Sequence, residues 1–381
     1  MSIKRILIVY PYFTENIFAI FKKFGETEKE IKFLCIVPNK QSKNIYQSTD
    51  LKLEEINLPQ NIVVKKCHFF PRKNKNPIIN PFCFLFNFLK FKPDKILFLD
   101  EAFSPNLFIA SVFSKIFKKD LYFYGFENVY KEFSLIKKIA IAFIKKFLKY
   151  GFVCNKEAPE VFKRYKFYPK VKKLWWGVDI ENFKKEISLE EIKNLKQKLG
   201  IRENQKVIGY VGRFIEEKGI KDLVEAFRLI NPYSVLIFIG DGPEKKYLEE
   251  IKDNIDKKII VLPPQPHKIL LKYYKIMDVL VLPSKTTKFW KEQYGRVLIE
   301  AMANGISIVG SNSGAIPEVI GNVGSIFPEG DILKLKEAIE YEFTSRTPEK
   351  IEQLKERAKL GSIENFVKEI SDFLIRNTKN K

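Results

Sequence analysis

Cysteine and histidine are scarce in this sequence. Its 381 residues include four cysteines, none of them in a CxxC pair, and only two histidines, which lie far apart. Without such a cluster we expect no metal site. Each cysteine lies in or near an apolar run, which favours buried, unpaired thiols in a reducing compartment over disulfides or zinc ligands. These residues are Cys35, Cys67, Cys83 and Cys154.

Long hydrophobic runs are also missing. The sequence opens MSIKRILIVYPYF, whose apolar part is too short for a signal peptide and is typical of a first strand. The longest apolar stretch, Ile78–Phe91, is interrupted by Pro81 and Asn87. Because a membrane span needs about 20 apolar residues, we expect a cytoplasmic protein, or one that is peripheral on the cytoplasmic face of a membrane.

Acidic residues are few in the first half of the chain. Residues 1–180 hold 33 Lys/Arg and 16 Asp/Glu, whereas residues 181–381 hold 34 and 30. This asymmetry within a formal net charge of +21 suggests an anionic partner for the first half: membrane lipid, an acidic acceptor or nucleic acid. A lysine-rich genome is the alternative cause. No nucleic-acid module is recognisable, so nucleic acid is not the expected partner.

What is present is a regular alternation of strand and helix patterns, which predicts two Rossmann-like, doubly wound α/β domains. Strand candidates in the first half are Ile6–Tyr10, Lys32–Val37, Ile62–Cys67, Lys95–Leu99 and Leu121–Tyr124. Those in the second half are Lys206–Val211, Val235–Ile239, Ile259–Leu262, Val279–Leu282 and Ile306–Val309. The expected divisions are an N-terminal domain over 1–180, a helical linker over 181–204, a C-terminal domain over 205–335, and helices over 336–381 that pack back on the N-terminal domain.

A first candidate site is Gly212-Arg213…Lys218-Gly219, which follows a strand and opens a helix. Two cations beside glycines at a helix N-terminus suit a diphosphate, because the glycines let the backbone approach and the helix adds partial positive charge. A tight turn with solvated Arg and Lys is the alternative.

A second candidate site is the run EQYGRVLIE, in which seven residues separate Glu292 from Glu300. Eight positions turn about 80° beyond whole helical turns, so one helix would not align the two carboxylates. A loop that carries Glu292 and turns at Gly295 into a helix can do so. Carboxylates accept hydrogen bonds from sugar diols, so one could hold a ribose and the other a transferred sugar. The alternative is two solvated glutamates flanking a buried helix.

Taken together, the runs VGRFIEEKGIKDLVEAF, IGDGP, DVLVLPS, EQYGRVLIEAMANG and SGAIPEVIG resemble the retaining glycosyltransferase family 4, of GT-B fold. They occur in the family's order and cover the second domain. The first domain resembles the family more weakly, through KPDKILFLDEAFS, YGFENVYK and WWGVDIENF.

The resemblance implies a role for each matching position. Arg213 and Lys218 would bind the donor diphosphate and act in catalysis. Glu300 would accept the ribose hydroxyls, and Glu292 would contact the transferred sugar near its reacting carbon. The implied donor-binding set is completed by Gly212, Gly242, Tyr294, Gly295, Arg296 and Val297, with segments Gly240–Pro243 and Leu262–Gln265 near the base. The family also implies retention of the anomeric configuration and no metal, and no DxD triplet occurs.

The first domain departs from the family in two places. The loop after the first strand, Tyr10–Phe13, has no glycine where relatives often carry a glycine-rich loop. No histidine occurs in Tyr124–Asn128, where many relatives carry one. Asp100 and Glu127 are polar groups at strand ends facing the expected cleft. Each could bind the acceptor or be structural.

A basic amphipathic helix is predicted over Ile136–Tyr150. Its lysines fall on one half of the helical wheel and its apolar residues on the other, so it could lie on an anionic membrane. The alternative is a packed helix with a solvated lysine face. The lysines are Lys137, Lys138, Lys145, Lys146 and Lys149.

These observations predict a glycosyltransferase with its active site in the cleft between two domains. The C-terminal domain would bind a UDP- or GDP-sugar donor, with no cofactor, and the N-terminal domain would bind a lipid-linked or surface-glycan acceptor. The alternatives are a nucleotide-sugar epimerase on the same fold, or a non-catalytic binder of sugar, lipid or nucleic acid.

Overall fold

The computed structural model describes residues 3–39, 56–72, 75–167, 170–231 and 233–376. The chain divides into two compact units. The first comprises residues 1–177 and 363–381, and the second comprises residues 178–362. Each unit is built on its own parallel sheet.

The first unit contains a seven-stranded parallel sheet of order β3-β2-β1-β6-β7-β8-β9 and a separate antiparallel hairpin, β4-β5. The strands are β1 (Arg5–Val9), β2 (Lys32–Pro38), β3 (Ile62–Cys67), β4 (Phe69–Arg72), β5 (Lys75–Ile79), β6 (Lys95–Phe98), β7 (Asp120–Gly125), β8 (Leu148–Val153) and β9 (Val171–Lys173). The helices up to residue 177 are α1 (Glu15–Thr27), α2 (Pro81–Phe91), α3 (Pro105–Phe117), α4 (Leu135–Phe147) and α5 (Ala158–Arg164). Strands β1, β2, β6 and β7 are almost entirely buried, as apolar runs covered on both faces should be.

Helices α2 and α3 both begin with a capping side chain followed by proline. Asn80 accepts hydrogen bonds from two backbone N–H groups at the start of α2, and Ser104 accepts one at the start of α3. Proline fits the next position because it has no N–H to satisfy. The two helices pack through aromatic rings, with the Phe88 and Phe117 ring centres 4.9 Å apart. The aromatic contact therefore holds α2 against α3.

The expectation of four unpaired cysteines is wrong for two of them. Cys67, at the end of β3, and Cys83, in the first turn of α2, form a disulfide. The hairpin β4-β5 brings the chain back to the end of β3. The sequence shows only that the two cysteines are separated by 16 residues, which does not reveal that they meet. Cys35 and Cys154 are buried thiols, as predicted.

The predicted helix over Ile136–Tyr150 is shorter than expected. Helix α4 ends at Phe147, because Leu148 adopts an extended conformation and begins strand β8 beside β7. Lys149 therefore belongs to a strand and not to the basic helix.

The second unit contains a six-stranded parallel sheet of order β12-β11-β10-β13-β14-β15. Its strands are β10 (Lys206–Val211), β11 (Ser234–Ile239), β12 (Lys258–Leu262), β13 (Val279–Leu282), β14 (Ser307–Ser311) and β15 (Ser325–Phe327). Its helices are α6 (Ile180–Phe183), α7 (Leu189–Lys198), α8 (Ile220–Leu229), α9 (Lys245–Lys252), α10 (His267–Ile276), α11 (Arg296–Ala303), α12 (Ile316–Ile320), α13 (Ile332–Thr344) and α14 (Pro348–Lys359), with a 3₁₀ turn at Glu216–Lys218. The prediction of two doubly wound α/β domains is confirmed.

The segment predicted as a linker, 181–204, belongs to the second unit, where it forms most of α6 and all of α7. A Ser188/Glu191 capping box starts α7. The chain re-enters the first unit at α15 (Ile363–Ser371), which packs on α1 and ends in a π-helical turn, Asp372–Arg376. Among the helices of the described ranges, none has both the length and the apolar composition that a membrane crossing requires.

Candidate donor site and acceptor-side residues

The candidate donor site lies where the strand order of the second unit reverses. Strand β10 has β11 on one side and β13 on the other, so the loops after β10 and β13 leave neighbouring strands in opposite directions. Crevices of this kind are the usual ligand sites of open α/β sheets. The loop after β10 carries Arg213 and Lys218, and the loop after β13 carries Glu292.

Glycine is required where these two loops meet. Gly219 has a φ of +65°, and a Cβ at this position would lie 1.8 Å from the carbonyl oxygen of Pro283. No other residue could bring the two backbones this close without a shift. The close approach places the 3₁₀ turn that carries Lys218 directly against the chain leaving β13.

Lys218 and Glu292 form an ion pair in this crevice. Lys218 Nζ lies 2.5 Å from Glu292 Oε2, and the two side chains are 13% and 8% exposed. The Ser284 hydroxyl donates to the same oxygen over 2.8 Å. Burial by itself raises the pKa of Glu292, but Lys218, the Ser284 hydrogen bond and the charge of Arg213 together hold the pKa below its usual value. The carboxylate is therefore charged at neutral pH.

Arg213 is exposed, and its carbonyl oxygen accepts a hydrogen bond from the Tyr210 hydroxyl over 2.7 Å. Tyr210 is itself buried in strand β10, so the bond fixes the backbone where Arg213 leaves the sheet. The Arg213 guanidinium thus extends from a fixed stretch of backbone. It lies near enough to Glu292 to lower the pKa of that carboxyl group.

Gly295 makes the turn that was predicted between the two glutamates. It has a φ of +77° and directly precedes α11, which carries Glu300. Glu300 is 1% exposed. Its Oε2 accepts from the Tyr274 hydroxyl over 2.8 Å, and Oε1 lies 3.0 Å from Arg296 Nε. Oε1 is buried and has no aligned hydrogen-bond donor among the residues that the structure describes.

The first turn of α11 contains the backbone that we predicted to bind the phosphates. Tyr294 is buried, and Arg296 and Val297 are partly exposed. N–H groups in the first turn of a helix have no partner within the helix, and together with the helix dipole they favour negative charge. The turn therefore offers donors and positive potential beside Glu292.

The segment predicted near the base is attached to the loop after β10. The Gly240 N–H donates to the carbonyl of Leu262 over 3.0 Å, and Phe214 N–H donates to the carbonyl of Asp241 over 2.8 Å. A Cβ on Gly242 would lie 2.4 Å from the Phe214 carbonyl oxygen. The loops after β10, β11 and β12 thus form one continuous edge, as the prediction requires.

The family model "Glycosyl transferases group 1" matches residues 191–361. The matched residues make up a little less than half of the chain. They include every residue that we predicted for the donor site.

Two curated relatives match part of the chain. N-acetyl-alpha-D-glucosaminyl L-malate synthase of Bacillus anthracis is 32% identical over 147 residues, 37% of this chain and 37% of the relative. Alpha-monoglucosyldiacylglycerol synthase of Acholeplasma laidlawii is 36% identical over 139 residues, 35% of this chain and 34% of the relative. The matched segments thus span about a third of these relatives' own lengths.

A solved structure extends the likeness of fold beyond the group 1 segment. The Anabaena protein Alr3699/HepE, solved in complex with UDP, has a TM-score of 0.74 at 17% identity, covering 97% of this chain and 99% of that one. The comparison confirms the predicted GT-B fold for both units.

Outside the group 1 segment, the structure gives Asp100 an internal role. Asp100 is 3% exposed and follows β6. One carboxylate oxygen accepts from Asn106 Nδ2 over 2.7 Å, and the other accepts from the Glu101 N–H over 2.7 Å and from Asn76 Nδ2. Asn76 in turn accepts from the Tyr12 hydroxyl. Asp100 therefore ties the hairpin β4-β5 to the aromatic loop after β1.

Glu127 is partly exposed and pairs with Lys131. Its neighbour Glu101 was not singled out from the sequence, although it directly follows Asp100. Glu101 accepts from the N–H groups of Phe126 and Glu127 over 3.0 and 3.2 Å. Burial and the negative charge of Glu127 raise the pKa of Glu101 to about 8. Two adjacent acids after a buried strand were the signal that could have identified it.

Proposed function

We propose that the protein is a glycosyltransferase that takes a hexose from a UDP- or GDP-sugar and transfers it to a hydroxyl group with retention. The acceptor is a lipid-linked or surface glycan, or a lipid. The observation that carries the proposal is the buried Lys218–Glu292 pair beside the N-terminus of α11, within the segment that matches the glycosyl transferases group 1 model.

The diphosphate of the donor would bind between Arg213, Lys218 and the first turn of α11. In the transition state, negative charge develops on the diphosphate as its bond to the sugar breaks. Cations and N–H donors that are already in place stabilise that charge without further reorganisation. These groups supply the stabilisation that a metal ion gives in other transferases, so no metal is needed.

The two carboxylates would divide the hydroxyl groups of the donor. Glu300, whose Oε1 is paired with Arg296 and lacks an aligned hydrogen-bond donor among the described residues, would accept from the ribose diol. Glu292 is charged and lies beside the diphosphate cations, where the transferred sugar is attached. A carboxylate at this position binds sugar hydroxyls and stabilises positive charge that develops at the reacting carbon.

The names of the similar proteins support the choice of substrates. The Anabaena protein was solved with UDP and also with UDP-glucose. One relative is named for transfer of a glucosaminyl group to malate, and the other for synthesis of a glucosyl diacylglycerol. A hexose-type sugar fits all three names, and a lipid acceptor fits one of them.

The test of the donor site is a thermal-shift screen against UDP, GDP, ADP and CMP and their sugar conjugates, without added metal. A ligand that binds only the folded state raises the melting temperature. We expect a shift with one nucleoside diphosphate, lost in Arg213→Ala and kept in the control Arg228→Ala, which removes an exposed arginine of α8. No shift with any nucleotide would overturn the proposal.

We also propose that the first unit binds an anionic membrane surface. Helix α4 buries only Ile141 and Ile144, and Leu135, Ile136 and Ile139 are 73%, 82% and 63% exposed. Helix α3 packs on α4 through Phe108 and Phe143, and α2 packs on α3 through Phe88 and Phe117. Both helices expose further apolar side chains. These are Phe82, Phe86, Leu89, Phe108 and Ile116.

Lysines of α4, among them Lys137, Lys138 and Lys146, are exposed as well. An exposed apolar surface with a basic rim is typical of proteins that lie on anionic bilayers. We expect co-sedimentation with phosphatidylglycerol vesicles, weakening as salt rises, and little with phosphatidylcholine vesicles. Ile136→Asp/Ile139→Asp should lose binding, whereas Leu333→Asp, an equally exposed site in α13, should not. Unchanged binding of the double variant would refute the proposal.

A further inference from the structure

The chain between Ser284 and Glu292 forms a loop whose two ends meet at the Glu292 carboxylate. The hydrogen bond from the Ser284 hydroxyl to Glu292 means that residues 285–291 leave and return at one point. The N–H of Lys285 donates to the carbonyl of Glu217 over 2.7 Å, and this bond fixes the start of the loop to the 3₁₀ turn. The loop therefore has a defined position beside the ion pair.

Thr287 closes a tight turn within this loop. Its N–H donates to the carbonyl of Trp290 over 2.7 Å, and its hydroxyl accepts from the N–H groups of Trp290 and Phe289 over 3.1 and 3.3 Å. The turn sends two neighbouring aromatic side chains to different surroundings. Phe289 is 69% exposed, whereas Trp290 is half-buried.

Trp290 borders the ion pair. Its ring centre lies 5.1 Å from Lys218 Nζ, the atom that is 2.5 Å from Glu292 Oε2. The ring face thus attracts the ammonium group and helps to keep it in the crevice. The indole N–H of Trp290 donates to none of the residues that the structure describes. It is available to a ligand.

We infer that Trp290 forms a wall of the donor-sugar subsite and determines which nucleotide sugars the site retains. The inference rests on the proposed function. A pyranose has faces of C–H bonds, which pack on an aromatic ring, and a rim of hydroxyl groups, which need donors and acceptors. Trp290 supplies a ring and one donor beside the carboxylate of Glu292. A bare nucleoside diphosphate has no sugar at this position, so the ring adds affinity only for the conjugate.

The test compares the binding of UDP and UDP-glucose by titration calorimetry. Trp290→Ala should weaken UDP-glucose about tenfold, the size expected for one aromatic contact, and leave UDP within about twofold. Trp290→Phe keeps a ring but loses the N–H, so its effect should be intermediate. Phe289→Ala is the matched control and should change neither ligand. Melting temperatures without ligand establish that each variant is folded.

Two results would overturn the inference. Equal weakening of UDP and UDP-glucose by Trp290→Ala would mean that the ring acts on the diphosphate through Lys218. Unchanged UDP-glucose binding would mean that it contacts no sugar. Failure of the unmodified chain to bind UDP counts instead against the proposed base. The ratio of the two affinities is then measured with the nucleoside diphosphate that the ligand screen selects and with its glucose conjugate.

Discussion

Glu101 in the first unit and Glu292 in the second occupy equivalent loops. Strand β6 lies beside β1 as β13 lies beside β10, and each glutamate is in the loop that follows. Yet the pKa of Glu101 is raised to about 8, and the pKa of Glu292 is lowered. The second unit thus holds a charged carboxylate at this position, and the first holds a protonated one at neutral pH.

Burial does not explain the difference. Glu292 is 6% exposed, whereas Glu101 is only partly buried. The neighbours differ instead: Glu292 has Lys218 at 2.5 Å, and Glu101 faces the carboxylate of Glu127, whose own partner is Lys131. One well-placed cation outweighs the cost of burial. The comparison shows that a cation beside a buried carboxylate keeps it charged, as the role that we propose for Glu292 requires.

The largest expected effect is on the charged member of this comparison. Glu292→Gln removes the charge but keeps the side-chain shape, so transition-state stabilisation should be lost while the diphosphate contacts remain. We expect kcat for release of the nucleoside diphosphate from its sugar conjugate to fall at least about 100-fold. The affinity for the nucleoside diphosphate should change less than about threefold.

The control for this prediction is Glu225→Gln, an exposed glutamate of α8 outside the crevice. It should leave both turnover and nucleotide affinity unchanged. Turnover by Glu292→Gln at the level of the unmodified chain would contradict the role that we assign to the carboxylate.

A smaller effect is expected from Glu101, the neutral glutamate of this comparison, and it is an effect of pH on stability. The pKa of Glu101 is about 8 in the folded chain, against an ordinary value of 4.5. The folded state therefore holds a proton that the unfolded state has released, and stability must fall as pH rises from about 4.5 to about 8. Since solvent reaches the partly buried side chain, we expect a loss of about 2 kcal/mol rather than the full linkage value.

Urea unfolding of the unmodified chain and of Glu101→Gln, at about pH 6 and about pH 9, measures this loss. The amide cannot ionise, so the variant should lose less stability between the two pH values. The same pH dependence in both proteins would show that Glu101 is not protonated in the folded state.

The pairing of Lys218 with Glu292 could not be predicted from the sequence, although each residue could be selected. They are 74 residues apart, and they meet because β10 and β13 are neighbours in the sheet. Apolar runs predict the strands themselves, and glycines predict the turns, because those signals are local. The order of strands in the sheet depends on packing along the whole unit, and no short pattern records it.

The same reason explains what sequence reasoning missed in the first unit. Hairpin β4-β5 was not predicted, so neither the approach of Cys67 to Cys83 nor the bond from Asn76 to Asp100 could be anticipated. For Asp100 the sequence left open an acceptor contact or a structural role, and its contacts join three segments of the unit. Whether Glu127 contacts an acceptor stays a prediction.

A last prediction separates the two units by their covalent chemistry. All four cysteines lie in the first unit, where Cys67 and Cys83 close a loop with a separation of 16 residues. A cross-link of that span restricts the unfolded chain and contributes about 3 kcal/mol in the entropy model, with less often measured. Dithiothreitol should therefore lower the urea midpoint of the unmodified chain and have no effect on Cys67→Ser/Cys83→Ser.

The thermal shift produced by a nucleotide should survive reduction, since the donor site is in a unit without cysteine. If reduction abolished nucleotide binding, the two units could not be treated as independent. Equal midpoints with and without reductant would instead mean that the cross-link adds no stability.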